Sequence, residues 1–187
     1  MKQKPLAYLK SLNANYSQKL HRCRWSPEDA QEIVPRLITF LDDPDPFVQQ
    51  ETLRALFDIG TPALAAGPRV VELTRSSELM TRIVAVQALG QIAHTDPKMC
   101  IGPSIAALPD SECRVHALRI LEFLGPAAAE ALDHVLPYFD SPLAKQRAHV
   151  LRVAAKIAPT DPKVIALIQQ AQTDRSQEVR KRATKLA

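Results

Sequence analysis

The feature that most constrains the fold of this chain is an internal repeat of about 33 residues. When the segments are aligned, one column holds Gln49, Arg82, Arg114, Arg147 and Arg180, at intervals of 33, 32, 33 and 33 residues. A column of small or β-branched residues follows three positions later, and a mostly apolar column follows three positions after that. The heptapeptide IAHTDPK at 92–98 also returns as IAPTDPK at 157–163. A period of this length predicts an array of units that each bury an apolar face against a neighbour.

Each repeat has the pattern of a helix, a tight turn and a second helix, and residues 37–60 show it most clearly. The turn at 42–46, DDPDP, contains prolines that cannot continue the first helix but fit the first turn of the next. Apolar residues then recur at offsets of three and four as far as Ile59, and Gly60 supplies the stop. The sequence therefore predicts an all-α fold built from helical hairpins.

Two further sets of positions follow from the alignment. Prolines recur inside the first helices and predict one bend in each, at Pro35, Pro68, Pro103 and Pro137. Small and apolar residues of the second helices are expected to be buried where helices approach closely: Ala85, Ala88, Ala117 and Ala183, with Leu56, Leu89, Leu121 and Ile157 beside them.

These marks resemble the HEAT-repeat family over about residues 27–187. The resemblance rests on the proline-containing first helix, the Asp-Pro turn followed by Val48, the Val179-Arg180 dipeptide and the Leu89-Gly90 ending. It departs from the family at Gln49, which replaces an arginine, and in the turns, because only two repeats have an aspartate six residues ahead of that column. The resemblance implies a right-handed α-solenoid of about five HEAT-type hairpins, without identifying a specific member.

The charge distribution suggests how the chain is divided. Residues 1–27 carry a net charge of +6 with no acidic side chain, residues 28–174 carry −6, and residues 175–187 carry +4. We expect residues 1–26 to form a basic N-terminal cap helix, although a partner-binding role for this helix stays open. Residues 27–187 would form the solenoid, with repeats at about 27–60, 61–94, 95–125, 126–159 and 160–187.

The three cysteines have no paired spacing, and no apolar run is long enough to cross a membrane. The first residues, MKQKPLAYLKSL, also lack a signal-peptide core. We therefore expect a cytoplasmic protein with free thiols.

No pattern of residues predicts catalysis, so we expect neither an enzyme nor a bound cofactor. Cys23 lies among basic residues that favour its thiolate, but no base and orienting group accompany it. His116 and His149 share one aligned position, yet a metal site would need a third ligand that the sequence does not offer. Phosphate-binding loops and paired-carboxylate motifs are likewise missing from the sequence.

One set of polar positions does indicate a function. On the second helices, the residues pointing away from the apolar stripe are mostly basic, and in HEAT-like proteins these helices line the concave surface. The predicted partner-binding residues are Arg54, Gln87, His116, Arg119, Phe123, His149, Arg152, Lys156, Arg182 and Lys185. The other interpretation is that helices simply need a charged face toward solvent.

We therefore predict a non-enzymatic scaffold or adaptor that binds an acidic or phosphorylated protein segment in a partly basic groove. Two alternatives follow from the HEAT resemblance. The groove could bind a nucleic-acid backbone, as in HEAT-like DNA glycosylases, although Trp25 is the only tryptophan and lies outside the repeats. The chain could also be an accessory protein of the bilin-lyase type.

Overall fold

The computed structural model describes residues 27–187 of the 187-residue chain. Within them the regular elements are helices: α1 Pro27–Phe40, α2 Pro46–Ile59, α3 Gly67–Leu73, α4 Leu79–Ile92, α5 Pro97–Ala107, α6 Ser111–Leu124, α7 Leu132–Val135, α8 Ala144–Ile157, α9 Pro162–Ala171 and α10 Gln177–Leu186. Three 3₁₀ segments complete them, at Thr61–Ala66, Gly125–Ala131 and Leu136–Asp140. The all-α prediction is confirmed over this range, whereas the expected N-terminal cap helix lies outside the described residues.

The chain divides after Met99 into two compact units, and α5 crosses the boundary. In the first unit, α2 packs against α4, α1 packs against α2 and the 3₁₀ segment Thr61–Ala66, and α3 packs against α4. In the second unit, α8 contacts both α6 and α10, and also α7, α9 and the two 3₁₀ segments. The repeat boundaries assigned from the sequence stay a prediction.

The residues that the repeat alignment selected lie in the core. The alanines at the tight positions of α4, α6 and α10 are fully buried, as are the larger residues expected beside them: Ala85, Ala88, Ala117, Ala183, Leu56, Leu89, Leu121 and Ile157. Alanine lets helix axes approach closely, while leucine and isoleucine fill the space between them. This part of the burial prediction is confirmed.

The prolines of the first helices act in two ways. Pro35 and Pro103 lie inside α1 and α5, as predicted. Pro68 and Pro137 instead stand at the start of new segments, where a 3₁₀ segment gives way to α3 and where α7 gives way to another 3₁₀ segment. The prediction of a bend within one helix was therefore wrong for these two repeats. A proline removes a backbone donor and crowds the preceding turn, and here the tighter 3₁₀ turns lie before Pro68 and around Pro137.

The aligned column of polar residues fastens each inter-helix turn to the second helix. In every repeat its side chain donates to the backbone carbonyl six residues earlier: Gln49 to Asp43 (2.9 Å), Arg82 to Ser76 (3.0 Å), Arg114 to Leu108 (2.6 Å), Arg147 to Ser141 (2.7 Å) and Arg180 to Asp174 (2.6 Å). These carbonyls follow the ends of the first helices, where intrahelical partners run out. Because every residue has a carbonyl, the contact persists in the repeats that lack the turn aspartate.

The residue that offers this carbonyl also shapes the turn with its side chain. Asp43, Ser76, Ser141 and Asp174 each accept the backbone N–H two residues later, at 2.7–3.2 Å. Leu108 cannot do so, and in its repeat Asp110 caps α6 by accepting from the Glu112 N–H at 2.9 Å. Short polar side chains in these turns therefore set the start of each second helix, which fixes the direction of its exposed face.

Candidate functional site

The predicted binding residues are divided between the two units. Arg54 lies on α2 and Gln87 on α4 of the first unit, and the other eight lie on α6, α8 and α10 of the second. The second unit therefore contains the larger share of the predicted site.

In the second unit, the predicted residues occupy equivalent positions on consecutive packed helices. One position holds His116, His149 and Arg182, the next holds Arg119, Arg152 and Lys185, and a third holds Phe123 and Lys156. Since α8 contacts both α6 and α10, the first two rows run across three neighbouring helices and the third runs across α6 and α8. Packed helices lie about 8–10 Å apart, so successive side chains in a row can meet separate groups of a ligand.

Four of these side chains are cations without an ion-pair partner among residues 27–187: Arg119, Lys156, Arg182 and Lys185. Arg119, Lys156 and Lys185 are exposed and Arg182 is half-buried. Phe123 stands among them with 69% of its surface exposed, the largest value for a bulky apolar side chain in the described residues. We call these five residues the cationic face.

Arg152 differs from its neighbours because it is engaged by a carboxylate that the sequence analysis did not select. Glu122 of α6 meets Arg152 of α8 with both oxygens, at 2.7 Å to Nε and 2.8 Å to Nη2. The Nε2 atom of His149 lies 3.5 Å from the same carboxylate. This cluster joins two helices and neutralises one charge of the predicted row. Glu122 and Arg152 are 30 residues apart, about one repeat less one helical turn, which is the only trace of the contact in the sequence.

Arg54, in the first unit, is likewise paired. Its guanidinium forms an ion pair with Glu51, one turn earlier on α2, and the Glu51 side chain is buried. An arginine that balances a buried carboxylate is held in place by the fold and offers less of its charge to a ligand. Gln87 carries no charge, so the cationic signal is weaker in this unit.

The two histidines are poorly suited to carry charge near neutral pH. Burial lowers the pKa of His116 below its usual value, and the nearby Arg119 lowers it further. Burial also lowers the pKa of His149, with Arg152 and Arg119 acting in the same direction and Glu122 opposing them. Both imidazoles therefore favour the neutral form, and the positive charge of this region comes from arginine and lysine.

The described residues also bear on metal binding, on the cysteines and on membrane insertion. Residues 27–187 contain no cluster of three or more side chains able to hold a metal ion. Cys100 and Cys113 are buried, and Cys23 lies outside the described residues. None of the described helices is long and apolar enough to cross a membrane.

Comparison with known proteins places the chain by fold. No protein-family model and no curated protein sequence matches it. Among solved structures, an engineered protein of the Northeast Structural Genomics Consortium aligns with a TM-score of 0.69 at 20% identity, over 96% of this chain and 93% of the other. An archaeal HEAT-like repeats protein from Thermococcus onnurineus NA1 aligns with a TM-score of 0.60 at 16% identity, over 90% of this chain and 76% of the other.

The chain has the HEAT-like repeat fold. A further HEAT-like neighbour is the complex of CpcE and CpcF of phycocyanin lyase from Nostoc sp. PCC7120, with a TM-score of 0.59 at 15% identity over 92% of this chain and 78% of the other. At this level of identity the likeness concerns the fold alone. The function of this HEAT-like chain has to be inferred from its own side chains.

Proposed function

We propose that this HEAT-like chain is a non-enzymatic scaffold whose cationic face binds an acidic or phosphorylated segment of another protein. The observation that carries the proposal is the row of unpaired cations on three consecutive packed helices, with the exposed Phe123 beside them. Exposed lysine and arginine are ordinary on helices, but here they share a face on which Glu122 is already occupied by Arg152. The nearest other acids on these helices, Glu112 and Glu178, lie in the first turns of α6 and α10.

The arrangement suits an extended chain of negative groups better than one small anion. Cations on adjacent helices have their backbones about one interaxial distance of 8–10 Å apart, so a row of them can meet successive carboxylates or phosphates of an extended chain. Phe123 adds an apolar contact of the kind that is frequent in protein interfaces and unnecessary for a nucleic-acid backbone. The phycocyanin lyase neighbour is itself a complex of two proteins, which also supports a protein partner.

The test compares two triple charge reversals in a fluorescence anisotropy assay. The first variant changes Arg119, Lys156 and Lys185 to Glu. The control changes Arg36, Arg75 and Lys98 to Glu, which are also exposed cations but lie outside α6, α8 and α10. The probes are a glutamate-rich peptide, a phosphoserine peptide and a random DNA duplex, each measured over a range of salt concentrations.

We expect the first variant to lose about tenfold or more in affinity for the acidic peptides, since its face changes sign, while the control keeps its affinity. Melting temperatures should stay close to the parent, because exposed charges contribute little to folding. Equal losses in both variants would refute the proposal and indicate diffuse attraction. Tighter binding to duplex DNA, with a steep decline of affinity with salt, would favour the nucleic-acid alternative.

A bilin-lyase-type accessory role is the second candidate, and the likeness to phycocyanin lyase is the observation that favours it. Mixing the purified chain with a free bilin tests it directly. A change in the visible absorption of the bilin that the chain causes and an equal amount of serum albumin does not would support this role. An unchanged spectrum would remove it.

A further inference from the structure

A cavity of about 270 Å³ lies between the N-terminal halves of α6 and α8, next to the cationic face. It is lined by Ser111, Arg114, Val115, Leu118, Leu143, Lys145, Gln146 and His149. The volume exceeds the roughly 150 Å³ that holds a benzene molecule and falls below the range of about 300–1,000 Å³ typical of sites for drug-sized ligands. Its size therefore suits one bulky side chain better than a cofactor.

Apolar side chains form the floor and rim of this cavity. Leu118 lies at the floor and is fully buried, whereas Val115 and Leu143 are 40% and 63% exposed. An isolated exposed aliphatic residue is common on any protein surface, but these two line the same cavity, Val115 from α6 and Leu143 from the N-cap position before α8. Covering them with an apolar group would remove surface from water that the fold itself leaves exposed.

The polar residues of the lining are mostly engaged by the fold. Arg114 donates to the carbonyls of Leu108 and Pro109 at 2.6 and 3.0 Å, and its guanidinium lies 4.4 Å from the centre of the Tyr138 ring. Gln146 accepts from Arg114 at 3.5 Å. Lys145 is exposed at the rim and has no ion-pair partner within residues 27–187. The cavity is thus an apolar recess with a cationic rim.

His149 connects this recess to the binding surface. Its ring lines the cavity, while its Nε2 atom lies 3.5 Å from Glu122, which in turn holds Arg152. Arg119 of α6 lies one turn beyond His116 and belongs to the cationic face. If a peptide placed an apolar residue in the recess, its neighbouring acidic residues could contact Lys145 at the rim and Arg119 on the cationic face.

We propose that this cavity seats a bulky apolar side chain of the partner's acidic segment and so determines which acidic segments bind. The inference rests on the proposed function, because charge complementarity on the rim and on the adjoining face identifies the occupant as part of an acidic peptide. The recognised chemistry is a leucine-sized or phenylalanine-sized residue flanked by carboxylates. The cations attract many acidic segments, and the recess favours those that carry a bulky apolar residue.

The experiment uses synthetic fluorescent peptides of one length, in which a central Leu, Phe, Ala or Ser is flanked by glutamates on both sides. With the full chain, we expect the Leu or Phe peptide to bind about tenfold or more tightly than the Ser peptide, as for a side chain that fills an apolar pocket. Val115→Trp should fill the recess and abolish this preference while keeping the affinity for the Ser peptide. Methyl NMR signals of Val115, Leu118 and Leu143 should shift with the Leu peptide more than with the Ser peptide.

Ile165→Trp is the matched control, because Ile165 is an aliphatic residue with similar exposure on α9 that does not line the cavity. The control should retain the full preference. If all four peptides bind equally to the parent chain, or if the preference survives Val115→Trp, the recess assignment is overturned and the proposed function stands. Loss of the preference in Phe123→Ser but not in Val115→Trp would also overturn it and place the anchor at Phe123. If no acidic peptide binds at all, the proposed function and the recess assignment both fail.

Discussion

Compared with the loss of Arg180 in the same aligned column, the loss of Arg147 should destabilise the second unit far more. Its side chain is buried, and its guanidinium donates to the Ser141 and Pro142 carbonyls at 2.7 and 3.0 Å. It also forms a two-pronged ion pair with Asp174, at 2.9 Å from Nε and 2.8 Å from Nη2. Asp174 is nearly as buried as Arg147, so the loss of Arg147 would leave this carboxylate with the Ser176 N–H, at 2.7 Å, and the charge of the nearby Arg175.

The magnitude follows from this geometry. Breaking a buried ion pair by removing one partner costs about 3–5 kcal/mol, so we expect Arg147→Met to lower the free energy of unfolding by about 3 kcal/mol. Arg180→Met is the comparison, because Arg180 is exposed and makes the equivalent bond to a single carbonyl. Its cost should be about 1 kcal/mol, the net value of an ordinary hydrogen bond. Urea unfolding followed by far-UV circular dichroism measures both differences.

The pH dependence separates the ion pair from the carbonyl contacts. The hydrogen bonds from Arg147 lower the pKa of Asp174 below its usual range. A carboxyl whose pKa is depressed by folding stabilises the protein above its unfolded pKa of about 3.9, and this contribution disappears as the pH falls through the folded value. The gap between parent and Arg147→Met should therefore narrow below about pH 4. A gap no larger than that of Arg180→Met, or one that stays constant in acid, would refute this account of the ion pair.

Three further predictions follow from the described contacts. Ala85→Glu should place an unpaired carboxylate at a fully buried position and cost about 3 kcal/mol or more, which a thermal melt would detect; a parent-like melt would contradict the burial of this column. Glu122→Gln should lower the pKa of His149 further, because it removes the one group that raises it, and an NMR titration that shows a higher pKa would count against the cluster. Deleting residues 175–187 should reduce stability and solubility, because it exposes the face of α8 that α10 covers. A truncated chain that is as stable as the parent would show that α10 adds nothing to the core.

The helices and the core positions of this fold could be predicted from the sequence because the same residue pattern recurs in several repeats. A pattern that recurs is stronger evidence than one residue in one repeat. A buried alanine at position 85 alone would mean little, but Ala117 and Ala183 in the same column identify a core position. The prolines were less predictable. Pro35 continues a helix while Pro68 begins a new segment, although both stand in the same column. Every proline disfavours a helical conformation in the residues just before it. Packing of the surrounding residues then decides whether the helix continues through the proline.

The candidate site could be predicted only in part, for a different reason. Which face of α6, α8 and α10 points away from the core follows from helical periodicity, and Arg119 and Lys185 are exposed there as expected. Ion pairing between helices depends on the distance between them and on the length of the side chains. Helical periodicity gives no information on either. The sequence therefore did not predict the role of Glu122, which forms an ion pair with Arg152 and neutralises its charge. The recess was also invisible in the sequence, since its walls come from two helices a repeat apart.

The aligned positions also separate the residues that hold each turn against its second helix from those of the proposed binding surface. The column that contains Arg114, Arg147 and Gln49 keeps a side-chain donor in every repeat, and even glutamine there reaches the same carbonyl as arginine. Five positions later, the column contains Arg54, Gln87, Arg119, Arg152 and Lys185, and neither charge nor pairing is uniform along it. A side chain that donates to a turn carbonyl contributes about 1 kcal/mol for each such hydrogen bond, whereas an exposed cation without a partner contributes little to folding. If the proposed function holds, substitutions in the second column would alter binding specificity one repeat at a time, while the side chains of the first column keep each turn bonded to its second helix.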